Sequence, residues 1–328
     1  MGKASKTARR NMVRGKTSVI VTVLDERETI KELVGALAGQ TVRPVEIIIV
    51  DGGSTDGTWE ILQKDKRVKA YRIPGNRSVG RNFAISKAKS RIIAITDAGC
   101  IPDQNWLEEL INPFSPPSPR LGEGTGVRYR QVDVVSGYYR GQPKNIFQKC
   151  LIPYVLVMPD KASKTKFFPS TRSMAMRKSV WEMYKFDENL WHNEDYAYAH
   201  TLKRAGFNFT FAPQAIVSWL PRQNLKQAAW MFMRFAIGDI QAGILRPQVK
   251  NLFIRYLVFG YLFFLSLEFH ILFYPLMFSA LSYLLFAVVK NYRYVRDPRA
   301  MFWLPVLQIT ADLMVISGTV MGFMSKWI

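Results

Sequence analysis

Asp25-Glu26, Asp51 and Asp97 each stand at the end of a short apolar run, and Glu194-Asp195 open a helical stretch further on. Carboxylates can accept hydrogen bonds from a polar ligand, hold a hard divalent cation or take a proton during a reaction. Their placement decides which. The runs 18–23, 45–50 and 91–96 are rich in Ile and Val, with the length and composition of buried parallel strands. Open α/β sheets bind ligands at the carboxyl ends of their strands. Three strands therefore deliver carboxylates to one edge of one sheet. Asp51 lies at that edge rather than in a core, so its replacement is expected to spare the fold.

The elements that must hold these residues are legible between the runs. Gly52, Gly53 and Gly57 allow a tight turn after the second strand, and Asp56 can cap a following helix. Ile30, Leu33, Val34 and Leu37 recur at helical spacing. A helix is expected near 106–111 and a strand near 132–136. Between them, 115–130 is rich in Pro, Ser and Gly and reads as a flexible surface insertion. Glu194-Asp195 favour a helix N-terminus, with Tyr196, Tyr198 and Leu202 continuing it.

The order of these motifs carries a resemblance. Asp25-Glu26, then Asp51-Gly-Gly-Ser-Thr-Asp-Gly-Thr, then Gly80-Arg81-Asn82-Phe83-Ala84, then Thr96-Asp97-Ala98-Gly99 is similar to family 2 glycosyltransferases of GT-A fold. Phe186-Asp187-Glu188, Asn193-Glu194-Asp195 and Leu202-Lys203-Arg204-Ala205-Gly206 continue the match, which spans 17–219. The resemblance implies an α/β, Rossmann-like mixed sheet with flanking helices, and inverting transfer of a sugar from a nucleotide diphosphate donor, UDP by family habit. It implies that Thr22, Asp25 and Glu26 line the base and ribose pocket, that Asp51 accepts from the base, and that Arg81 lies near the nucleotide. Asp97 takes the first acidic position of the family's Asp-x-Asp motif, which holds Mg²⁺ or Mn²⁺. Gly99 replaces its last Asp, so the cation is expected on Asp97 and the diphosphate, with Asp103 as a second candidate ligand. Asp195 is implied as the general base, with Glu194 raising its pKa. Arg172 and Ser173, with Lys161, lie on the segment that faces the acceptor in the family.

The remainder of the chain is different in kind. Within its 328 residues, 1–16 form a basic arm, 17–222 the transferase domain, 223–250 an amphipathic interface helix and linker, and 251–328 an apolar region. Crossings are expected at about 252–268, 270–289 and 303–324. Arg246, Lys250 and Arg255 precede the first, and Lys290, Arg293, Arg296 and Arg299 separate the second from the third. The positive-inside rule keeps both clusters, and the catalytic domain, cytoplasmic at an inner membrane. No apolar core follows the basic arm, so no signal peptide is read. The net charge of +20 fits anionic lipid and phosphate-bearing substrates; no recognition helix or zinc spacing supports nucleic acid. Cys100 and Cys150 are expected as free thiols. Gln227-Ala228-Ala229-Trp230 lacks the Arg of processive synthases, which argues for adding one sugar to a lipid-linked or cell-surface glycan acceptor. A polyprenyl-phosphate sugar synthase and a non-catalytic membrane scaffold are the competing readings.

Overall fold

The computed structural model describes residues 17–115, 131–162 and 167–325. The basic arm and all but the first residue of the 115–130 insertion lie outside the described residues. The chain divides into two compact units, one of 1–140 with 159–220 and one of 141–158 with 221–328.

The first unit is built on a curled sheet of eight strands: β1 (Thr17–Val23), β2 (Glu46–Asp51), β3 (Lys69–Arg72), β4 (Ile92–Ile95), β5 (Cys100–Pro102), β6 (Val134–Gly141), β7 (Met174–Arg177) and β8 (Phe209–Trp219). Their order is β3-β2-β1-β4-β7-β6-β8-β5. β1 pairs in parallel with both β2 and β4, and β4 pairs antiparallel with β7. The register sets Val23 beside Asp51, so the loops after β1 and β2 leave the sheet together. The early helices are α1 (Ile30–Ala38), α2 (Thr58–Leu62), α3 (Arg77–Lys87) and α4 (Trp106–Ile111). Gly57, at φ +96°, occupies the N-cap position of α2, and the Asp56 carboxylate beside it accepts from the first helical N–H, that of Thr58, at 3.0 Å.

Every residue of β2 is buried, as expected of an interior parallel strand. Ile20, Ile48, Val50, Ile93 and Ile95 face a core shared with Ala84 and Ile85 of α3. α6 (Lys178–Met183) adds Val180 and Trp181 to that core, and α7 (Glu194–Arg204) adds Tyr198 and Leu202. α3 approaches β1 closely: a Cβ on Gly80 would stand 2.8 Å from Thr22 Cγ2, so only glycine fits.

The second unit holds α5 (Ile146–Val155), α8 (Leu225–Gln241), α9 (Pro247–Glu268), α10 (Phe273–Val295) and α11 (Ala300–Met324). The last three are long and apolar enough to cross a membrane, and α9 begins inside the stretch expected to be a linker. α8 packs one face inside this unit while Trp230 stays exposed. Gly318 and Gly322, one turn apart on α11, lie against it: a Cβ on Gly318 would meet Met233 O at 2.4 Å, and one on Gly322 would meet Ile240 Cβ at 2.8 Å. Small residues at this spacing let helix backbones come close. Three apolar helices also share one polar network. Asp312 of α11 accepts from Tyr256 (3.1 Å), Tyr283 (2.6 Å) and Gln308 (2.9 Å), and Arg255 donates to the Tyr283 hydroxyl at 2.5 Å.

Candidate active site

The loops after β1 and β2 are stitched to each other. Asp25, in the left-handed region at φ +53°, accepts from the Thr55 N–H at 2.8 Å, and its own N–H donates to Ser54 Oγ at 2.9 Å. The Glu26 N–H donates to Thr58 Oγ1 at 2.9 Å, and its carboxylate accepts from Thr29 Oγ1 at 2.7 Å. Thr22 is half-buried on β1 just before this loop. A non-glycine residue at positive φ costs energy and persists only where surrounding bonds impose it. Asp25 is held in that way.

Asp51 corrects the sequence reading. It is 0% exposed, its oxygens accept from the Ser54 N–H at 3.1 and 3.2 Å and from the Ser54 hydroxyl, and Arg72 stands 3.5 Å away. The carboxylate closes the turn inward and is buried, where the sequence placed it at an open sheet edge.

Asp97 follows β4 and stays partly open, with its side chain 31% exposed. Its Oδ1 accepts from Arg81 Nη2 at 3.0 Å. Burial acts to raise the Asp97 carboxyl, but Arg81, Arg77, Arg172 and the Thr171 hydroxyl outweigh it and hold its pKa below the usual carboxylate value. Arg81 itself is 1% exposed. Its guanidinium donates to Glu194 Oε1 at 2.5 Å and to Thr171 Oγ1 at 2.9 Å as well as to Asp97. Burial would lower its pKa; Glu194, Asp97 and Asp195 more than offset that and raise it. These three bonds go to protein groups, one of them the partly open Asp97 carboxylate. Glu194, 3% exposed, likewise faces Arg81, with Arg77 at 4.0 Å.

Asp195 is more open than Glu194 and accepts from Ser170 Oγ at 2.8 Å and from the Tyr196 N–H at 2.9 Å. Asn193, at φ +53°, turns the chain into α7 just before the two acids. Arg172 is half-buried, its guanidinium 5.3 Å from the Tyr139 ring centre and 5.8 Å from that of Trp219. Ser173, expected on the acceptor side, is buried: it accepts from Trp106 Nε1 at 2.8 Å and donates to Ala215 O at 3.0 Å. Asp103 is paired with Arg140 at 2.8 Å. Lys161 ends an exposed 3₁₀ turn. Cys100 and Cys150 are buried free thiols.

Ser170 and Thr171 are site residues that sequence reading missed. Each bonds a partner distant in the chain, 25 and 90 residues away, and no local motif marks them.

The chain is similar to known glycosyltransferases. The chain is 25% identical over 256 residues to the glycosyltransferase AglE of Haloferax volcanii, covering 72% of this chain and 77% of that protein. It is 35% identical over 99 residues to the UDP-Glc:alpha-D-GlcNAc-diphosphoundecaprenol beta-1,3-glucosyltransferase WfaP of Escherichia coli, covering 29% of this chain and 38% of that protein. Among solved structures, the mannosyltransferase PcManGT of Pyrobaculum calidifontis, determined with GDP-Man and Mn²⁺, superposes with a TM-score of 0.55 at 17% identity, over 92% of this chain and 87% of that one. That likeness is one of fold, and the fold is GT-A. The family model described as glycosyl transferase family 2 matches residues 18–184. The chain belongs to glycosyl transferase family 2.

Proposed function

We propose that the protein is an inverting glycosyltransferase that moves one sugar from a nucleotide diphosphate donor, a UDP-sugar, to a lipid-linked or cell-surface glycan acceptor. The observation that carries this reading is the joining of Asp97 and α7, which bears Asp195, through one buried guanidinium. Donor-side and acceptor-side carboxylates are thereby held at the same sheet edge.

In this reading Thr22, Asp25 and Glu26 line the base and ribose pocket. Asp195 takes the proton of the acceptor hydroxyl as it attacks the anomeric carbon, with Ser170 fixing the carboxylate's orientation. A single direct displacement inverts that centre. Arg172 lies toward the acceptor, and Arg77, 57% exposed, offers positive charge at the rim. Among the described residues no three His, Cys, Asp or Glu side chains converge, so no complete protein cage for a cation forms. Asp97 does offer one ionised, partly open carboxylate, which fits an ion held chiefly by substrate phosphates. Mg²⁺ or Mn²⁺ bound there would neutralise the departing diphosphate. The membrane reading completes the proposal: α9, α10 and α11 cross an inner membrane, anionic lipids meet the basic clusters, and the transferase unit is cytoplasmic.

The test is a panel of nucleotide sugars offered to the purified chain with lipid-linked acceptors. Transfer with inverted anomeric configuration supports the proposal. A phosphate-linked, acid-labile product would identify a polyprenyl-phosphate sugar synthase instead, and the absence of donor binding would leave a scaffold.

A further inference from the structure

Three residues of α3 divide one task. Gly80 admits the helix to β1, as its missing Cβ shows. Asn82 ties α3 to the segment before α7: its Nδ2 donates to Phe186 O (2.9 Å) and Glu188 Oε1 (2.8 Å), while its Oδ1 accepts from Trp181 Nε1 (2.9 Å). Arg81, between them, reaches the site with three bonds to three separate segments, and its guanidinium lies 5.6 Å from the Phe186 ring centre.

We infer that Arg81 is a positioning residue that makes no contact with the donor phosphates, and that Glu194 serves as its anchor rather than as a second base. The inference rests on the transfer reading above. At 1% exposure the Arg81 side chain presents almost no surface to a ligand. Its planar fork suits several fixed acceptors at once. Glu194 Oε1 receives the shortest of the three bonds, and Glu194 immediately precedes Asp195 on α7. The Asp97 carboxylate and the start of α7 are therefore placed by a single group. Thr171 sits beside Ser170, which bonds Asp195, so the same guanidinium also steadies the segment that orients the base. Loss of Arg81 displaces donor-side and acceptor-side carboxylates together.

The experiment uses the full chain with four variants: Arg81→Gln, Arg81→Lys, Glu194→Gln and the Arg81→Gln/Glu194→Gln double. Affinity for uridine and for UDP is measured alongside kcat and KM for transfer. Arg81→Gln should lower kcat roughly a hundredfold, the scale of small misplacements of reacting groups. It should weaken uridine and UDP by the same factor within about threefold, since no phosphate contact is lost. Arg81→Lys should not restore kcat, because an ammonium cannot span the three acceptors. The double variant should be no worse in kcat than the poorer single one. A selective loss of UDP over uridine, full activity of Arg81→Lys, or multiplicative effects in the double variant would each overturn the inference. If Arg81→Gln does not fold, Arg81→Lys and Glu194→Gln carry the same nucleotide comparison. A wild-type chain that transfers from no donor would sink the functional proposal instead. Unfolding midpoints of the four variants would then decide the bridge: effects that add fully deny the coupling, and a double variant no less stable than the poorer single one affirms it.

Discussion

Asp97 and Asp195 are carboxylates set in different company. Guanidinium groups keep Asp97 ionised and Arg81 bonds it directly, whereas Asp195, also in the field of Arg81 and Arg172, takes its hydrogen bonds from one hydroxyl and one backbone N–H. Replacing each by Asn should separate their roles. Asp195→Asn should cut transfer by roughly 10²–10⁴-fold, the usual contribution of a positioned base, with donor affinity nearly unchanged. Asp97→Asn should weaken donor or metal binding as well as turnover, and it strips Arg81 of a charged partner. Titration calorimetry beside turnover checks the pair; equal loss of donor affinity in both would refute the assignment of Asp195. Sequence position revealed much of this site, because an acid after a buried strand must emerge at the sheet edge. It could not reveal direction. Asp51 meets the same rule as Asp97, yet Ser54 three residues on curls back to take both its oxygens. Ser173 follows Arg172 in the chain and still points into the core, toward Trp106 and Ala215. Such choices depend on partners tens of residues away.

Elements were more legible than side chains. The Ile- and Val-rich runs gave β1, β2 and β4, and the Ile30–Leu37 spacing gave α1, because burial on one or both faces writes its period into the chain. The antiparallel partners β7 and β8 left fainter marks, since their neighbours are set by distant pairing. Two elements carry predictions. On α3, Gly80→Val should destabilise the first unit by about 1–3 kcal/mol through overpacking against Thr22, and should lower transfer by moving Arg81. Denaturant midpoints and kcat measure both effects. On β2, the Glu46 carboxylate accepts from Ser18 Oγ (2.7 Å), the Lys89 N–H (2.7 Å) and Lys69 Nζ (2.6 Å). Burial would raise its pKa, but Lys69, Lys89 and Ser18 outweigh burial and lower it. A lowered folded pKa gives stability that is present above the unfolded value, about 4.3, and is lost as pH falls through the folded one. Glu46→Gln should therefore be less stable than wild type at neutral pH, and the gap should shrink below about pH 4. A gap that is constant with pH would show that the charge plays no part.

At the scale of the whole chain, the +20 charge and the three apolar helices belong to one description. Lys290, Arg293, Arg296 and Arg299 sit at the α10–α11 junction, where the chain turns at Arg296 with φ +51°. A cysteine at 296 should be shielded from an impermeant reagent in intact cells, and labelling from outside would reverse the proposed topology. The polar network of the apolar helices has a further consequence, for biogenesis. Arg255 lies on α9, whereas Asp312, 4.0 Å from it, lies on α11, the last of the three to be synthesised. Under the proposed topology, while only the α9–α10 hairpin is inserted, Arg255 near its cytoplasmic end has the Tyr283 hydroxyl but lacks the Asp312 carboxylate. Arrival of α11 supplies the carboxylate together with Gln308. The hairpin should therefore settle only after its successor enters, and a chain truncated after Val295 should turn over faster in a pulse-chase than one truncated after Met324. Arg255→Leu should abolish that difference, because the early hairpin would then have no charge waiting for its partner.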